Sequence, residues 1–420
     1  MKIWLISIFE NTPLDDNQNT RFNAITNEAL SRGHDVTFWA STFKHNVKKQ
    51  RYSETTTIDV SEKLRVKYLL SSAYRSNISF TRMLSHKKLA SLYRRELEKV
   101  DELPGVIYIA YPPISLVYEV TKWAEKHEIP VIVDIIDPWP DSYRRKMKFL
   151  PKKAQDVLLS TTSKKVKYIF KTASAVCGIA EQRLSWAKTY FSDISRVEYF
   201  YPAVYLEEMQ GTLSEIREKE KAQGKFSVIY AGSLESSYDI PTILKAAELL
   251  EKKEPEIEFV IAGRGLQKDI IEKYVTKHRN VRYIGRVPKD ELMREYARAD
   301  LGLIQHHKNA TQTVTYKLFD LLGSGLPVMN SLESELNDIV LKNKVGLFNE
   351  PGNYEKLAEN ISYCFNNRNE LKRMKERAVA TTAELGDAKS VYGRVVNLIE
   401  EQHEFDRDSL SRNNTPAVHS

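Results

Sequence analysis

FSVIYAGSLESSYDIPTILKAAELLEKKEPEIEFVIAG, residues 226–263, joins two short apolar runs through a longer amphipathic stretch. The runs at 226–232 and 257–263 are almost continuous in apolar residues, which is typical of parallel strands covered on both faces. The stretch at 241–253 has the spacing of a helix. The segment therefore predicts a strand–helix–strand unit with a right-handed crossover.

The same alternation extends in both directions from this unit. Toward the C-terminus, strands are predicted at 281–285, 301–305, 327–330 and 345–348, and helices at 266–278, 289–298, 315–323, 333–341 and 353–366. Toward the N-terminus, strands are predicted at 3–9, 34–40, 64–70, 106–111, 130–136 and 175–179, and helices at 21–32, 85–100, 115–127 and 154–172. A polar, charged segment at 207–225 separates the two series and marks a domain boundary.

The pattern predicts an α/β fold of two tandem doubly wound, Rossmann-like domains, residues 1–205 and 206–385. We expect a helix at 386–403 to pack back on the N-terminal domain, and the polar residues 404–420 to form a disordered tail. Ligands bind at the carboxyl ends of such sheets, so we expect two substrates to meet in a cleft between the domains.

Composition narrows the class of protein. The chain has 420 residues, 42% apolar and 28% charged, as in globular proteins. No apolar run approaches the roughly 18–20 residues that span a bilayer. The opening MKIWLISIFENTP lacks a small-residue cleavage site and is interpreted as a first strand. Cys177 and Cys364 lie in apolar settings, which predicts buried free thiols in a reducing compartment.

Four stretches between residues 230 and 331 carry a family resemblance: YAGSLESSYDIPTILKAAELL, FVIAGRGLQKDI, NVRYIGRVPKDELMREYARADLGLI and TQTVTYKLFDLLGSGLPVMNS. In this order they resemble the second domain of retaining glycosyltransferases of the GT-B fold, family four, of the bacterial polysaccharide type. MKIWLISIF and SRGHDVTFWAS in the N-terminal half match more loosely. The resemblance implies a C-terminal domain that binds a nucleotide-sugar donor and an N-terminal domain that binds the acceptor.

The stretch at 311–320 has the chemistry for such a donor. A helix predicted to begin near Thr315 would turn free N–H groups toward a diphosphate, with Thr313 and Val314 leading into it. Lys317 could reach phosphate, and Asp320 could accept hydrogen bonds from a ribose diol. We therefore predict that these residues bind the donor.

Two departures from the family pattern concern this site. The family has two glutamates eight positions apart, where this chain has Gln312 and Asp320. Gln312, which we take as a catalytic candidate, can hydrogen-bond the donor sugar but cannot balance charge at the anomeric carbon. The alternative that the protein is an inactive enzyme, or one with a narrowed activity, therefore stays open.

The second departure is that the family's Arg and Lys are missing from the turn at 232–238. Gly232 and Ser233 could replace them through the backbone or the hydroxyl. Arg264 and Arg286 are alternative cations, or solvated loop residues.

The acceptor half offers three candidates. DIIDPWPDS, residues 134–142, closes a predicted buried strand, where ligands bind. The resemblance implies that Asp137 orients or partly deprotonates the acceptor hydroxyl, with Asp141 as a second acceptor-binding candidate. Either could instead cap the following helix. Arg21 begins a predicted helix and could meet phosphate of donor or acceptor.

A basic run in the same half predicts a membrane contact. The chain has a net charge of +7, and the run comprises Arg144, Arg145, Lys146, Lys148, Lys152, Lys153, Lys164, Lys165, Lys167 and Lys171. Apolar residues interleave with these charges, so residues 144–171 favour an anionic membrane surface. A solvated helix face is the alternative, and no nucleic-acid motif accompanies the run.

Three other patterns are set aside. The pair Gly263 and Gly265 lacks the third glycine of a dinucleotide site. His306 and His307 are adjacent, so in an extended segment they point in opposite directions. Asp406-Arg407-Asp408 lies in the polar tail, where its likeness to a metal-binding motif is read as coincidence. We expect no metal and no cofactor.

The resemblance thus implies transfer of a hexosyl or N-acetylhexosaminyl group from a UDP-sugar to a hydroxyl of a lipid-linked saccharide or polysaccharide. It implies retention of configuration, in cell-surface polysaccharide biosynthesis, by a cytoplasmic protein held at the inner face of the plasma membrane. Two alternatives stay open: a sugar-nucleotide epimerase or hydrolase on the same fold, and a non-catalytic partner subunit that binds sugar nucleotide or anionic lipid.

Overall fold

The computed structural model describes residues 1–16, 20–45, 47–73, 80–144, 147–219 and 224–413, without the side chains of 80–83 and 406–413. The chain divides into two compact units. The N-terminal unit comprises Met1–Phe200 together with the chain from Lys389 onward, and the C-terminal unit is Tyr201–Ala388. The sequence predicts these boundaries at 205/206 and 385/386.

The N-terminal unit contains an eight-stranded sheet. The strands of this sheet are β1 (Lys2–Ile6), β2 (Asp35–Ser41), β5 (Thr56–Ser61), β6 (Leu64–Leu69), β7 (Val106–Tyr111), β8 (Val131–Ile135), β9 (Ala175–Gly178) and β10 (Val197–Tyr199). Two short strands, β3 (Phe43–Lys44) and β4 (Lys49–Gln50), form a separate pair. The sheet order is β10-β9-β8-β7-β1-β2-β6-β5, and all pairs are parallel except β5–β6. The strands β7 and β8 are buried along their whole length, as their apolar runs predict.

Six helices accompany this sheet within the described part of residues 1–200: α1 (Arg21–Ser31), α2 (Phe80–Leu97), α3 (Ile114–Lys126), α4 (Asp141–Arg144), α5 (Lys152–Thr172) and α6 (Glu181–Lys188). The sequence does not predict α6 or the edge strand β5. Both show weak patterns, since β5 has no buried residue and α6 is short. Helices connect the parallel strands except β2 and β6, which are joined through the short strands β3, β4 and β5.

The C-terminal unit contains a six-stranded, wholly parallel sheet. Its strands are β11 (Phe226–Ala231), β12 (Ile257–Ala262), β13 (Val281–Gly285), β14 (Leu301–Ile304), β15 (Val328–Asn330) and β16 (Gly346–Phe348), in the order β13-β12-β11-β14-β15-β16. The strand order reverses between β11 and β14. Ligands of open α/β sheets bind outside the carboxyl ends of strands at such a reversal.

Eight helices belong to this unit in the residues described: α7 (Leu206–Lys219), α8 (Ile240–Lys253), α9 (Lys268–Val275), α10 (Lys289–Arg298), α11 (Tyr316–Gly323), α12 (Glu335–Lys342), α13 (Tyr354–Asn366) and α14 (Arg368–Leu385). The helix α7 lies largely in the polar, charged segment at 207–225, where the sequence analysis predicts no helix. It buries only Leu213 and is rich in Glu, so it lacks the apolar periodicity that reveals a helix.

The last helix, α15 (Ala388–Asn413), lies almost wholly in the N-terminal unit. Arg32 at the end of α1 donates to Asn397 Oδ1 at 2.6 Å and to Glu400 Oε2 at 2.9 Å. His34 Nε2 lies 2.7 Å from Glu400 Oε1. The helix α15 continues through residues 404–413, where the sequence predicts a disordered tail. Residues 414–420 lie outside the described residues. None of the described helices is long and apolar enough to cross a membrane.

A buried ion pair joins α1 to the N-terminal sheet. The Arg21 side chain is 1% exposed and the Asp134 side chain 0%. Arg21 Nε donates to Asp134 Oδ2 at 2.6 Å and its NH2 group to Oδ1 at 3.2 Å. Tyr108 also donates to Asp134, at 2.9 Å, and Arg21 NH1 donates to the Phe200 carbonyl at 2.8 Å. The sequence predicts Arg21 as a phosphate ligand, whereas the structure commits its guanidinium to the core.

The start of α1 is closed as well. Glu10 Oε2 accepts the Phe22 N–H at 3.0 Å, and burial raises the pKa of this carboxyl to about 7. An acidic side chain of the protein thus occupies the position that a phosphate would take at the helix N-terminus.

Replacing Arg21 tests this structural role. We expect Arg21→Leu to lower the free energy of unfolding by about 3–5 kcal/mol, because Asp134 would stay buried without its cation. The double variant Arg21→Leu/Asp134→Leu should recover part of this loss. Arg32→Leu, which removes a more exposed pair, should cost about 1 kcal/mol or less. Urea unfolding at pH 7 measures all three, and native stability in Arg21→Leu would contradict the assignment.

Candidate functional site

Three segments of the C-terminal unit meet at the strand reversal. They are the turn after β11, the residues after β14 and the N-terminus of α11. Backbone hydrogen bonds join the first two, from Asp239 N to the Gln305 carbonyl at 3.2 Å and from His307 N to the Ser237 carbonyl at 3.2 Å. Tyr238 and His306 form an isolated antiparallel bridge. The site is thus fixed by backbone contacts between remote parts of the sequence.

The turn after β11 makes room for Lys317. Gly232 has φ +150, and a Cβ built on it would lie 2.8 Å from Lys317 Nζ. The ammonium lies 4.0 Å from the ring centroid of Tyr230 and 4.8 Å from that of Tyr238. It is buried and has no hydrogen-bond partner among the described residues. Burial lowers the pKa of Lys317 to about 7.

The glycine turns after β11 and β12 pack backbone against backbone. Gly263 also has φ +150, and a Cβ there would lie 1.9 Å from the Gly232 carbonyl oxygen. Leu234 N donates to the Arg264 carbonyl at 2.9 Å. Gly263 is therefore required for the position of the first turn, which explains the Gly-x-Gly pattern at 263–265 without a dinucleotide.

His306 is a second buried group without a partner. It is 1% exposed, and neither ring nitrogen has a hydrogen-bond partner in the part of the chain described. Its ring centroid lies 4.8 Å from that of Tyr238, and burial lowers its pKa to about 3, so the ring is neutral at pH 7. His307 is 47% exposed and lies 3.7 Å from Asp239. The two histidines differ in burial, as adjacent residues of an extended segment do.

The N-terminus of α11 adds further unpaired groups. Thr315 is the N-cap residue, but its side chain makes no capping bond. The hydroxyls of Thr313 and Thr315 are buried without partners. One turn into the helix, burial raises the pKa of Asp320 to about 6, against the opposing effect of Lys289 and Lys317.

Five buried polar atoms near this helix end thus lack hydrogen-bond partners among the described residues: His306 Nδ1 and Nε2, Thr313 Oγ1, Thr315 Oγ1 and Lys317 Nζ. We call these four residues the unpaired cluster. An unsatisfied buried polar group costs about 1–3 kcal/mol. A ligand rich in acceptor oxygens would satisfy hydroxyls, imidazole and ammonium together, and the helix dipole favours an anion.

The other predicted donor-binding residues differ in burial and in their contacts. Val314 is buried at 2% exposure, and Gln312 is half-buried with its Oε1 accepting from Thr311 N at 3.0 Å. Ser233 is exposed, and its carbonyl accepts from Tyr230 at 2.6 Å. Arg264 and Arg286 are exposed in the turns after β12 and β13. Within the described residues, neither arginine side chain hydrogen-bonds or ion-pairs with the unpaired cluster.

In the N-terminal unit, the two aspartates after β8 differ. Asp137 is exposed, and its carbonyl accepts from Trp139 N at 2.9 Å. Asp141 is bonded by neighbouring side chains: its Oδ2 accepts from Trp186 at 2.7 Å and from Tyr190 at 2.9 Å, and its Oδ1 accepts from Arg144 at 2.7 Å. Its side chain is 33% exposed, and its role as an acceptor ligand stays a prediction. Asp137 is the more exposed of the two aspartates.

A group of rings at the same sheet edge was not predicted from the sequence. Phe9 lies 5.1 Å from His45 and 5.5 Å from His86, and His86 stacks on Trp139 at 5.9 Å between ring centroids. These residues come from four separate segments, so no local pattern links them. His306 was likewise not assigned to the site, although its alternation with His307 indicates that one ring faces inward.

Among the described residues, no cluster of three or more His, Cys, Asp or Glu side chains is suited to a metal ion. Cys177 and Cys364 are free and buried, as the sequence predicts. The side chains of Asp406 and Asp408 lie outside the described residues.

Comparisons with known proteins agree with this fold and with the position of the site in the C-terminal unit. Residues 213–381 match the family model for glycosyl transferases group 1, and this range contains the unpaired cluster. Glycogen synthase of Mycobacterium tuberculosis is 25% identical over 138 residues, which cover 32% of this chain and 33% of that protein. The matched part therefore spans about a third of the length of that curated relative.

Solved structures resemble the whole chain. Sucrose-phosphate synthase from Thermosynechococcus elongatus has a TM-score of 0.71 at 14% identity, covering 95% of this chain and 98% of the other. Anabaena HepE in complex with UDP has a TM-score of 0.66 at 13% identity, covering 96% and 100%. WaaG, a glycosyltransferase involved in lipopolysaccharide biosynthesis, has 0.63 at 14%, covering 95% and 99%. The fold is therefore GT-B, with two Rossmann-like domains.

The unpaired ammonium makes a prediction about stability. We expect Lys317→Met to raise the free energy of unfolding by about 1–3 kcal/mol at pH 7, because it removes a buried charge without a partner. The Lys317 pKa is lowered on folding, so the unfolded chain binds more protons and wild-type stability rises between pH 7 and about 10. The gain from Lys317→Met should therefore shrink over that range.

Urea unfolding at pH 7 and pH 9.5 measures this gain. Lys375→Met is the matched control, because Lys375 pairs with Asp300 at 2.8 Å and its loss should destabilise. A Lys317→Met protein that is less stable than wild type at both pH values would contradict the burial of an unpaired ammonium.

Proposed function

We propose that this protein is a group 1 glycosyltransferase that uses a nucleotide-diphosphate sugar bound by its C-terminal unit. The observation that carries the proposal is the unpaired cluster at the α11 N-terminus, where Lys317 Nζ is enclosed without an acceptor. The matched family range, 213–381, supports it because it contains all four residues. A diphosphate supplies the acceptor oxygens and the negative charge that this arrangement lacks.

The donor roles follow from the positions of the side chains. The diphosphate binds at the N–H groups that begin α11 and recruits Lys317, while Thr313 and Thr315 donate their hydroxyls. Asp320 accepts from the ribose diol, and Gln312 hydrogen-bonds the donor sugar. Ser233, Arg264 and Arg286 lie in turns at the carboxyl ends of β11, β12 and β13 and supply further contacts. We propose UDP as the nucleotide, since HepE is described in complex with UDP.

The transfer itself moves a hexosyl or N-acetylhexosaminyl group to a hydroxyl of a lipid-linked saccharide or polysaccharide. The bond between the anomeric carbon and the diphosphate oxygen breaks, a bond to the acceptor oxygen forms, and the hydroxyl proton passes to the departing diphosphate. Configuration is retained and no metal takes part. The protein contributes orientation and stabilisation of charge on the leaving group. Asp137 orients the acceptor hydroxyl. We place the reaction in cell-surface polysaccharide biosynthesis.

A membrane surface on the N-terminal unit fits a lipid-linked acceptor. Phe149 is 80% exposed, Val157 73% and Leu158 62%. The exposed lysines of the same segment are Lys148, Lys152, Lys153, Lys164, Lys167 and Lys171. Apolar side chains among basic ones suit the interface of an anionic bilayer. We propose that this surface holds a cytoplasmic protein at the inner face of the plasma membrane; Arg145 and Lys146 lie outside the described residues.

Binding of the nucleotide tests the donor site. A panel of nucleotide sugars should contain one, a UDP-sugar, that raises the melting temperature, because a ligand of the folded state stabilises it. Asp320→Asn should weaken its binding about 10–100-fold, the loss of a charge-assisted hydrogen bond. Asp338→Asn, on the exposed face of α12, should bind as wild type. Unchanged affinity in Asp320→Asn would remove the ribose assignment.

Turnover separates the proposal from its alternatives. Incubation with radiolabelled donor should give product only when lipid-linked acceptor is added. Donor consumption without acceptor would support an epimerase or hydrolase instead. Binding without any turnover would support a non-catalytic subunit, which the Gln312 departure keeps in view.

Flotation with anionic liposomes tests the membrane surface. Replacing Lys164, Lys165 and Lys167 together by Gln should weaken binding on the order of 100-fold, since each basic residue near the bilayer contributes about 1 kcal/mol. Replacing Lys252, Lys253 and Lys342 of the C-terminal unit by Gln is the matched control and should have little effect. Equal flotation of both triple variants would reject the proposed surface.

A further inference from the structure

The surroundings of Lys317 contain rings and glycine backbone but no paired carboxylate. Tyr230 at the end of β11 and Tyr238 before α8 present ring faces to the ammonium, at 4.0 and 4.8 Å. Gly232 lies against Nζ from the turn between them. His306, after β14, is a further ionisable neighbour; burial, and to a smaller extent the charge of Lys317, lower its pKa to about 3, so its ring is neutral. No ion pair of Lys317 is found in the described part of the chain.

Asp320 is the nearest carboxylate on the same helix, three residues further on. Its negative charge favours the ammonium form of Lys317, but burial outweighs it and lowers the pKa of Lys317 to about 7. Lys289, at the start of α10, competes for the charge of Asp320. In the free protein at pH 8, Lys317 is therefore mostly a neutral amine, which an aromatic enclosure tolerates far better than an unpaired ion.

A diphosphate at the start of α11 would reverse this balance. An opposite charge within about 4–6 Å favours the protonated form of an amine. We propose that binding of the nucleotide diphosphate is coupled to the uptake of one proton by Lys317, which changes from an enclosed neutral amine to the cation of the donor site. This inference rests on the proposed function and deepens it. The proton comes from solvent and forms an N–H bond at Nζ, and no covalent bond of the ligand changes.

The other ionisable groups do not obscure this proton at pH 8. Asp320 is ionised in the free protein at pH 8, because its pKa is about 6. It stays ionised with ligand bound, because hydrogen bonds from a ribose diol favour the carboxylate. His306, with a pKa of about 3, stays neutral unless that pKa rises by several units. Burial raises the pKa values of Tyr230 and Tyr238, so both stay protonated. Of the groups named here, Lys317 is thus the one whose protonation can change on ligand binding at pH 8.

The coupling has consequences for affinity. Above pH 7 the free site must gain a proton before it holds the ligand as a cation, so affinity for the diphosphate falls as pH rises. The slope approaches tenfold per pH unit between pH 8 and pH 9 and flattens below pH 7. Release of the spent nucleotide returns the proton, so each catalytic cycle restores the neutral amine.

Calorimetry in buffers of different ionisation enthalpy counts the protons directly. UDP is titrated at pH 8, well above the pKa of about 6 for the second ionisation of a terminal phosphate. We expect wild type to take up close to one proton, and this uptake to vanish or change sign at pH 6. Lys317→Arg stays charged at all accessible pH values and should bind with no uptake. Lys375→Arg, in an existing ion pair, should keep the wild-type uptake.

A second measurement covers the case in which arginine does not fit beneath Gly232. The 13Cε signal of Lys317 should titrate near pH 7 in the free protein and above about pH 9 with UDP bound. UDP binding with no proton uptake at pH 8, or uptake that persists unchanged in Lys317→Arg, overturns the inference while leaving donor binding intact. Failure of both UDP and ADP to bind counts against the proposed function instead.

Discussion

The space left by the missing side chain of Gly232 determines the chemistry of the C-terminal unit. It allows the Lys317 ammonium to lie against two tyrosine rings at the strand reversal, where the backbone offers no acceptor to it. The Gly232 turn is itself held by the close approach of Gly263. Two glycines in the turns after neighbouring strands thus set the position of Lys317, which in our proposal helps the helix end to bind a diphosphate.

Two buried basic side chains in this chain show how pairing separates structure from function. Arg21 has Asp134 and a carbonyl as hydrogen-bond partners, whereas Lys317 has no hydrogen-bond partner among the described residues. A satisfied pair stabilises the fold and has nothing left to offer a ligand. An unsatisfied group destabilises the free protein, and natural sequences keep such conflicts mainly where function needs them. The pairing state, more than the residue type, therefore assigns the role.

The sequence predicts the parts of this protein that local patterns control. Continuous apolar runs predict β7, β8 and β11, because strands buried on both faces need no alternation. The helix at Tyr316–Gly323 also follows from local sequence. The helix α7 was missed because its exposed surface shows no apolar stripe. The hydrogen bonds of Arg21 to Asp134 and of Asp141 to Trp186 could not be predicted, because these partners are remote in sequence and invisible to any local pattern.

The donor site combines both kinds of information. Its helix end is local, but its enclosure by Tyr230, Tyr238 and His306 depends on β11 and β14 being neighbours. In the function that we propose, Gln312 adds no charge near the donor sugar. With no carboxylate at that position, and with a lysine that gains its charge when the ligand binds, electrostatic stabilisation would concentrate on the diphosphate. The proposed mechanism therefore relies on stabilising charge on the leaving group rather than at the anomeric carbon.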